Sequence, residues 1–69
     1  MSVQFGKRCK ILRQERGLTQ QQVADALGIS RSAYAYYEIG GSEPSLSVLW
    51  ELAQYFQVLA DSLLDTSIK

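Results

Sequence analysis

Apolar positions along the chain recur at three- and four-residue spacing, and glycines cut that pattern into short pieces. Phe5, Cys9 and Leu12 share one face with the aliphatic stem of Arg16, which predicts a helix over 3–16. Gly17 stops it. Thr19 then caps a second helix over 20–27, with Val23, Ala24 and Leu27 pointing inward. Gly28 ends that helix, Ile29 is a buried linker, and Ser30 caps a third helix over 31–38. In this third helix Tyr37 and Ala33 turn inward, and Tyr34 belongs to the core with its hydroxyl seeking a partner at the surface.

Residues 39–44 are dense in turn formers and read as a loop closed by Pro44. Ser45 opens a fourth helix in which Leu46, Leu49, Trp50, Ala53 and Phe56 repeat at helical spacing. Val58 is a buried connector, and residues 60–65 form a last short helix packing Leu63 and Leu64. No strand pattern competes. The expected fold class is all-α, built from five short helices.

A chain of 69 residues makes one domain with a small core, and self-association is a common supplement at that size. No apolar run approaches a membrane span and no leader pattern is visible, which places the protein in the cytoplasm. Histidine is absent, and one cysteine cannot build a metal cage or an internal disulfide. The reading is therefore a non-enzyme without a cofactor. Cys9 reads as a small buried apolar side chain; the alternative is a redox-sensing thiol activated by Lys7, Arg8 and Lys10.

The net charge is zero, but its distribution is not even. Residues 1–31 carry six cationic side chains and two carboxylates, a net +4, while residues 32–69 carry one and five, a net −4. Such a dipolar chain can offer one basic face to phosphates and remain soluble; an ordinary solvated basic helix face would look the same.

Two brief helices joined by a tight glycine turn form a shape that places one helix in the major groove of DNA. Local chemistry at 20–38 fits that shape. Ala24 is small where the helices would cross, Gly28 sits where the chain reverses, and Ile29 and Tyr37 lock the pair to the core.

From Gly6 to Leu64 the chain resembles the phage-repressor-like helix-turn-helix family, also called Cro-type or XRE-type. The matching residues are Leu12-Arg13, Arg16 to Gln20, Val23-Ala24, Leu27 to Ser32, Tyr37-Glu38, Gly40, Glu43 to Leu46, Leu49, Leu52-Ala53, Val58 and Leu63-Leu64. The resemblance implies a lambda-repressor-like domain over 6–65, with its helix-turn-helix motif at 20–39 and a short tail at 66–69. It further implies a double-stranded DNA-binding transcriptional regulator, expected to be a repressor.

Carried over by position, the recognition helix is 31–38, with Arg31, Ser32 and Tyr36 directed at base edges. Arg31 fits either a guanine edge or a phosphate, and Tyr36 either a thymine methyl or a phosphate. Tyr36 stands where the family usually has a polar or basic residue, and Tyr34 where it has Ile or Val. Gln20 matches the family's phosphate clamp, with Thr19, Ser30, Arg13, Gly41 and Ser42 as further backbone contacts. Arg13 and Glu38 match a pair that fixes the recognition helix against the first. The family often places Lys or Arg directly after Gly40; Gly41 here implies fewer ionic contacts and a shallower salt dependence.

One such module reads only a few base pairs, so a homodimer on a palindromic operator is expected. The fourth helix carries a second apolar stripe, Val48, Leu52 and Tyr55; for Leu52 the alternative is simple burial in a hydrophobic helix. With Leu59 and Ile68 these exceed what a small core needs, and Tyr55, Leu59, Val48 and Ile68 form the expected dimer interface. The competing function is an antitoxin or adaptor whose main partner is another protein; a regulatory protein partner is compatible with either.

Overall fold

Four α-helices follow one another in the computed structural model, which describes residues 3–59 and 63. They are α1 (Val3–Glu15), α2 (Gln20–Leu27), α3 (Arg31–Glu38) and α4 (Leu46–Phe56). No strand occurs among the described residues. The expected fifth helix at 60–65 lies outside the described residues except for Leu63, which is helical and fully buried. The expected packing of Leu64 and the placing of Ile68 lie outside them as well.

Side-chain caps set the helix starts. Thr19 accepts from the backbone N–H of Gln22 at 3.0 Å, and the backbone N–H of Thr19 donates in return to the Gln22 amide oxygen at 2.8 Å. This reciprocal pair satisfies two donors that a helix start leaves unpaired. Ser30 and Ser45 do the same in simpler form, accepting from Ala33 and Val48. The α2–α3 turn is made at Gly28, at φ +73°, and the N–H of Ile29 returns to the carbonyl of Ala24 at 3.0 Å. That left-handed closure is what glycine permits at little cost.

All four helices feed one core. Phe5, Cys9 and Leu12 come from α1, Val23 and Ala24 from α2, Tyr34 from α3, and Leu49, Leu52, Ala53 and Phe56 from α4. Leu18, Leu27, Ile29, Tyr37, Val48 and Val58 pack around it half-buried. α1 crosses the end of α3 at Gly6, where a Cβ would stand 2.4 Å from the Tyr37 carbonyl oxygen. Beside that crossing Phe5 and Tyr37 meet edge to face, 6.0 Å apart. Arg16 reaches across to α4: its Nη2 donates to the carbonyl of Phe56 at 2.6 Å, satisfying an acceptor at a helix end.

Three expectations of burial need correction. Leu46 and Trp50, expected in the core stripe, are 81% and 62% exposed, while Leu52 takes the buried alternative rather than the outer stripe. α4 is apolar nearly all round, so several faces satisfy the same spacing; the core selects 49, 52, 53 and 56. Ala33 is exposed because Tyr34, Tyr37 and Glu38 occupy the inward side of α3. The Tyr34 hydroxyl does not reach the surface: the residue is fully buried.

Candidate nucleic-acid interface

α3 buries Tyr34 and Glu38, and this rotation leaves Arg31, Ser32 and Tyr36 exposed. Ser32 and Tyr36 are neighbours one turn apart on the same side of the helix. Gln20, at the first turn of α2, is half-buried beside them. Thr19, Ser30, Gly41 and Ser42 are exposed, the first two with their side-chain oxygens engaged in capping.

Beneath this face runs a chain of polar contacts that begins in the interior. Arg13 donates from Nε to Oε2 of Glu38 at 2.7 Å and from Nη2 to Oε1 at 3.2 Å, a two-pronged pair. Its remaining nitrogen, Nη1, donates to the carbonyl of Leu18 at 2.9 Å. Gln20 donates from Nε2 to Oε1 of Glu38 at 3.0 Å, and its own Oε1 accepts from Nη1 of Arg31 at 3.4 Å. The amide therefore has one orientation that serves both neighbours: nitrogen toward the carboxylate, oxygen toward the guanidinium.

The electrostatics agree with that geometry. Burial by itself would raise the Glu38 pKa; hydrogen bonds from Arg13 and Gln20 outweigh it and hold the carboxyl below its ordinary range. The Tyr34 hydroxyl lies near enough to favour the charge, but outside hydrogen-bonding geometry with any described residue. Desolvation, reinforced by Glu38, pushes the Tyr34 pKa upward. The same two causes push the Cys9 thiol up to about 12. Cys9 is fully buried and held as the unreactive thiol, the opposite of the condition for redox sensing.

Tyr36 is 52% exposed, and its ring lies against Gly41, whose N–H donates to the Tyr36 carbonyl at 2.9 Å. A Cβ on Gly41 would fall 2.4 Å from Cε1 of that ring.

Of the residues singled out in the sequence, Arg31, Ser32, Gln20 and Tyr36 are thus gathered around the start and outer side of α3. Arg13 is not at that surface. All three of its nitrogens are turned to Glu38 and Leu18, and its side chain is 13% exposed. Of the residues named for a dimer, Leu59 is 76% exposed, Tyr55 is partly exposed, and Val48 packs against the core. Sequence reasoning missed the Gln20–Glu38 bond and the Tyr36–Gly41 contact. Neither carried a sequence signal, because both depend on where the fold places the side chains.

A shallow groove of about 650 Å³ lies elsewhere, between the end of α2 and α4, and is lined by Asp25, Leu27, Trp50, Glu51 and Tyr55 among others. No group of three potential metal ligands occurs among the described residues. No described helix is long and apolar enough to cross a membrane.

Two capped helices, a left-handed glycine turn and a solvent-open second helix braced from behind define a helix-turn-helix module. A helix-turn-helix family model matches residues 10–63. The chain is 47% identical over 60 residues to the SPbeta prophage-derived HTH-type transcriptional regulator YonR of Bacillus subtilis, covering 87% of this chain and 56% of that protein. It is 33% identical over 63 residues to the phage CTXphi transcriptional repressor RstR of Vibrio cholerae, covering 91% and 57%. The crystal structure of the restriction-modification controller protein C.AhdI from Aeromonas hydrophila superposes with a TM-score of 0.82 at 33% identity, covering 88% of this chain and 92% of that one. The chain belongs to the XRE-type helix-turn-helix family. It spans about half the length of the curated relatives it matches.

Proposed function

We propose that this chain is the DNA-reading module of a sequence-specific transcriptional regulator, a repressor that acts as a homodimer on a palindromic operator. One observation carries the reading. The outer side of α3 exposes Arg31, Ser32 and Tyr36, while Arg31 is held through Gln20 by the buried Glu38–Arg13 pair. A guanidinium positioned in this way is suited to the two acceptors of a guanine edge, and less ordering remains to be done on binding.

Gln20, Thr19, Ser30 and Ser42 surround that face and are assigned to the sugar-phosphate backbone; Gly41 is not, since its one donor, the N–H, is already given to the Tyr36 carbonyl. Such contacts set register without reading sequence. Arg13 is assigned a bracing role, since its nitrogens are already engaged. Similarity to a phage repressor supports repression as the outcome of binding. Exposed Leu59 and Tyr55 support a second copy as partner.

Selection of bound sequences from random duplex DNA tests the proposal. The expected result is a palindrome of two short half-sites, and loss of a guanine preference in each half-site with Arg31→Ala. Enrichment of nothing above background at low salt would overturn it.

A further inference from the structure

Tyr36 carries a large ring on the outer side of α3, and Gly41, in the turn that follows, carries no side chain. Their contact is tight. A Cβ on Gly41 would lie 2.4 Å from Cε1 and 2.6 Å from Cδ1 and Cζ of the ring, inside the distance any carbon pair tolerates. Backbone conformation is not the reason for glycine here, because the left-handed glycines are Gly17, Gly28 and Gly40. What glycine supplies at 41 is room. The turn itself is tied to α3 by the bond from Gly41 N–H to the Tyr36 carbonyl at 2.9 Å.

We infer that Gly41 is a specificity-determining positioning residue: it holds the Tyr36 ring against the turn so that its open side reads a thymine methyl. The inference rests on the DNA-reading proposal above. An aromatic side chain free of neighbours loses rotamer freedom when it docks, and one already braced loses less. Tyr36 remains 52% exposed, and its ring carbons offer no hydrogen bond. The apolar feature that the major groove presents to such a surface is the C5-methyl of thymine. Any side chain at 41 would compete with the ring for that place.

The test uses the selected operator with each thymine replaced singly by deoxyuridine, which removes one methyl. Wild type loses about three- to fivefold in affinity at one position per half-site, the scale of one buried methyl group. Tyr36→Phe keeps that loss. Gly41→Ala abolishes it and keeps the guanine preference set by Arg31. In a Tyr36→Ala background, Gly41→Ala has no further effect, since the ring it displaces is gone. A flat deoxyuridine scan for wild type overturns the inference, as does Tyr36→Phe weakening every duplex equally, which marks a hydroxyl–phosphate contact. A Gly41→Ala variant that retains the methyl response overturns the positioning role. Failure to select any operator is a different result, and sinks the DNA-reading proposal itself.

Discussion

Nε2 of Gln20 lies 3.0 Å from Oε1 of Glu38, so a buried carboxylate decides which end of the surface amide faces Arg31. Reversal of that amide would set its NH2 against a guanidinium. The interior thus orients a group on the outer face through a single hydrogen bond, and the core and the candidate reading surface are not independent.

Replacing Glu38 by Gln tests this dependence. The variant leaves the part-buried Arg13 guanidinium without its charge partner and lowers stability by up to about 3–5 kcal/mol, read from denaturant unfolding. At temperatures where the variant is folded, Arg31-dependent base preference weakens as well. Unchanged stability would mean that the pair contributes nothing net.

The pH dependence has a defined sign. The Glu38 carboxyl is held below its ordinary value of 4.5 in the folded chain, so the folded state binds its proton less readily than the unfolded state. Its contribution is complete above about 4.5 and is lost as pH falls through the lower folded value. Thermal melts from pH 7 down to 2.5 should show a steeper acid loss for wild type than for Glu38→Gln. Parallel curves would contradict the assignment.

Gly6→Ala should be destabilising even though alanine is the better helix former. Its Cβ would meet the Tyr37 and Glu38 carbonyl oxygens at 2.4 and 2.6 Å, and these are backbone atoms that cannot swing aside. Separation of α1 from α3 costs about 1–3 kcal/mol by the measure of overpacked cores. A rise in melting temperature would show that the crossing relaxes freely.

Gly28 is a different case, since a Cβ there meets nothing within 4 Å and the whole cost is conformational. Gly28→Ala should lose about 1–2 kcal/mol from forcing a left-handed alanine. Gly28→Asn should lose less, because asparagine enters that region more readily. Equal losses for the two variants would point to a steric cause instead.

Leu59 is 76% exposed, so charge there does not disturb the core. If it lies in the contact between copies, wild type has a dimer's mass by light scattering and Leu59→Glu a monomer's, with unchanged helicity. Tyr55→Glu should act in the same direction. A wild type that is already monomeric at high concentration rules the interface out.

The recognition pair was legible at the level of single residues. Thr19, Gly28 and Ser30 bound α2 and α3 at the expected limits of 20–27 and 31–38, because capping and left-handed closure are contacts within a few residues of sequence. The end of α4 carried no such mark: it closes on Gln57 in the left-handed region, with no glycine to announce it.

By itself, then, the sequence determined the order of α1 to α4 and their caps, which follow from local hydrogen bonding and spacing, while the outward place of Arg31 was implied by the family resemblance. Tertiary structure alone decided that Leu52 is buried and Trp50 is not, that α1 meets α3 at Gly6, and that the Tyr36 ring rests on Gly41. The reason is physical. Spacing states which positions share a side of a helix, but a helix as apolar as α4 has several usable sides, and only the neighbours that fill the remaining volume select among them.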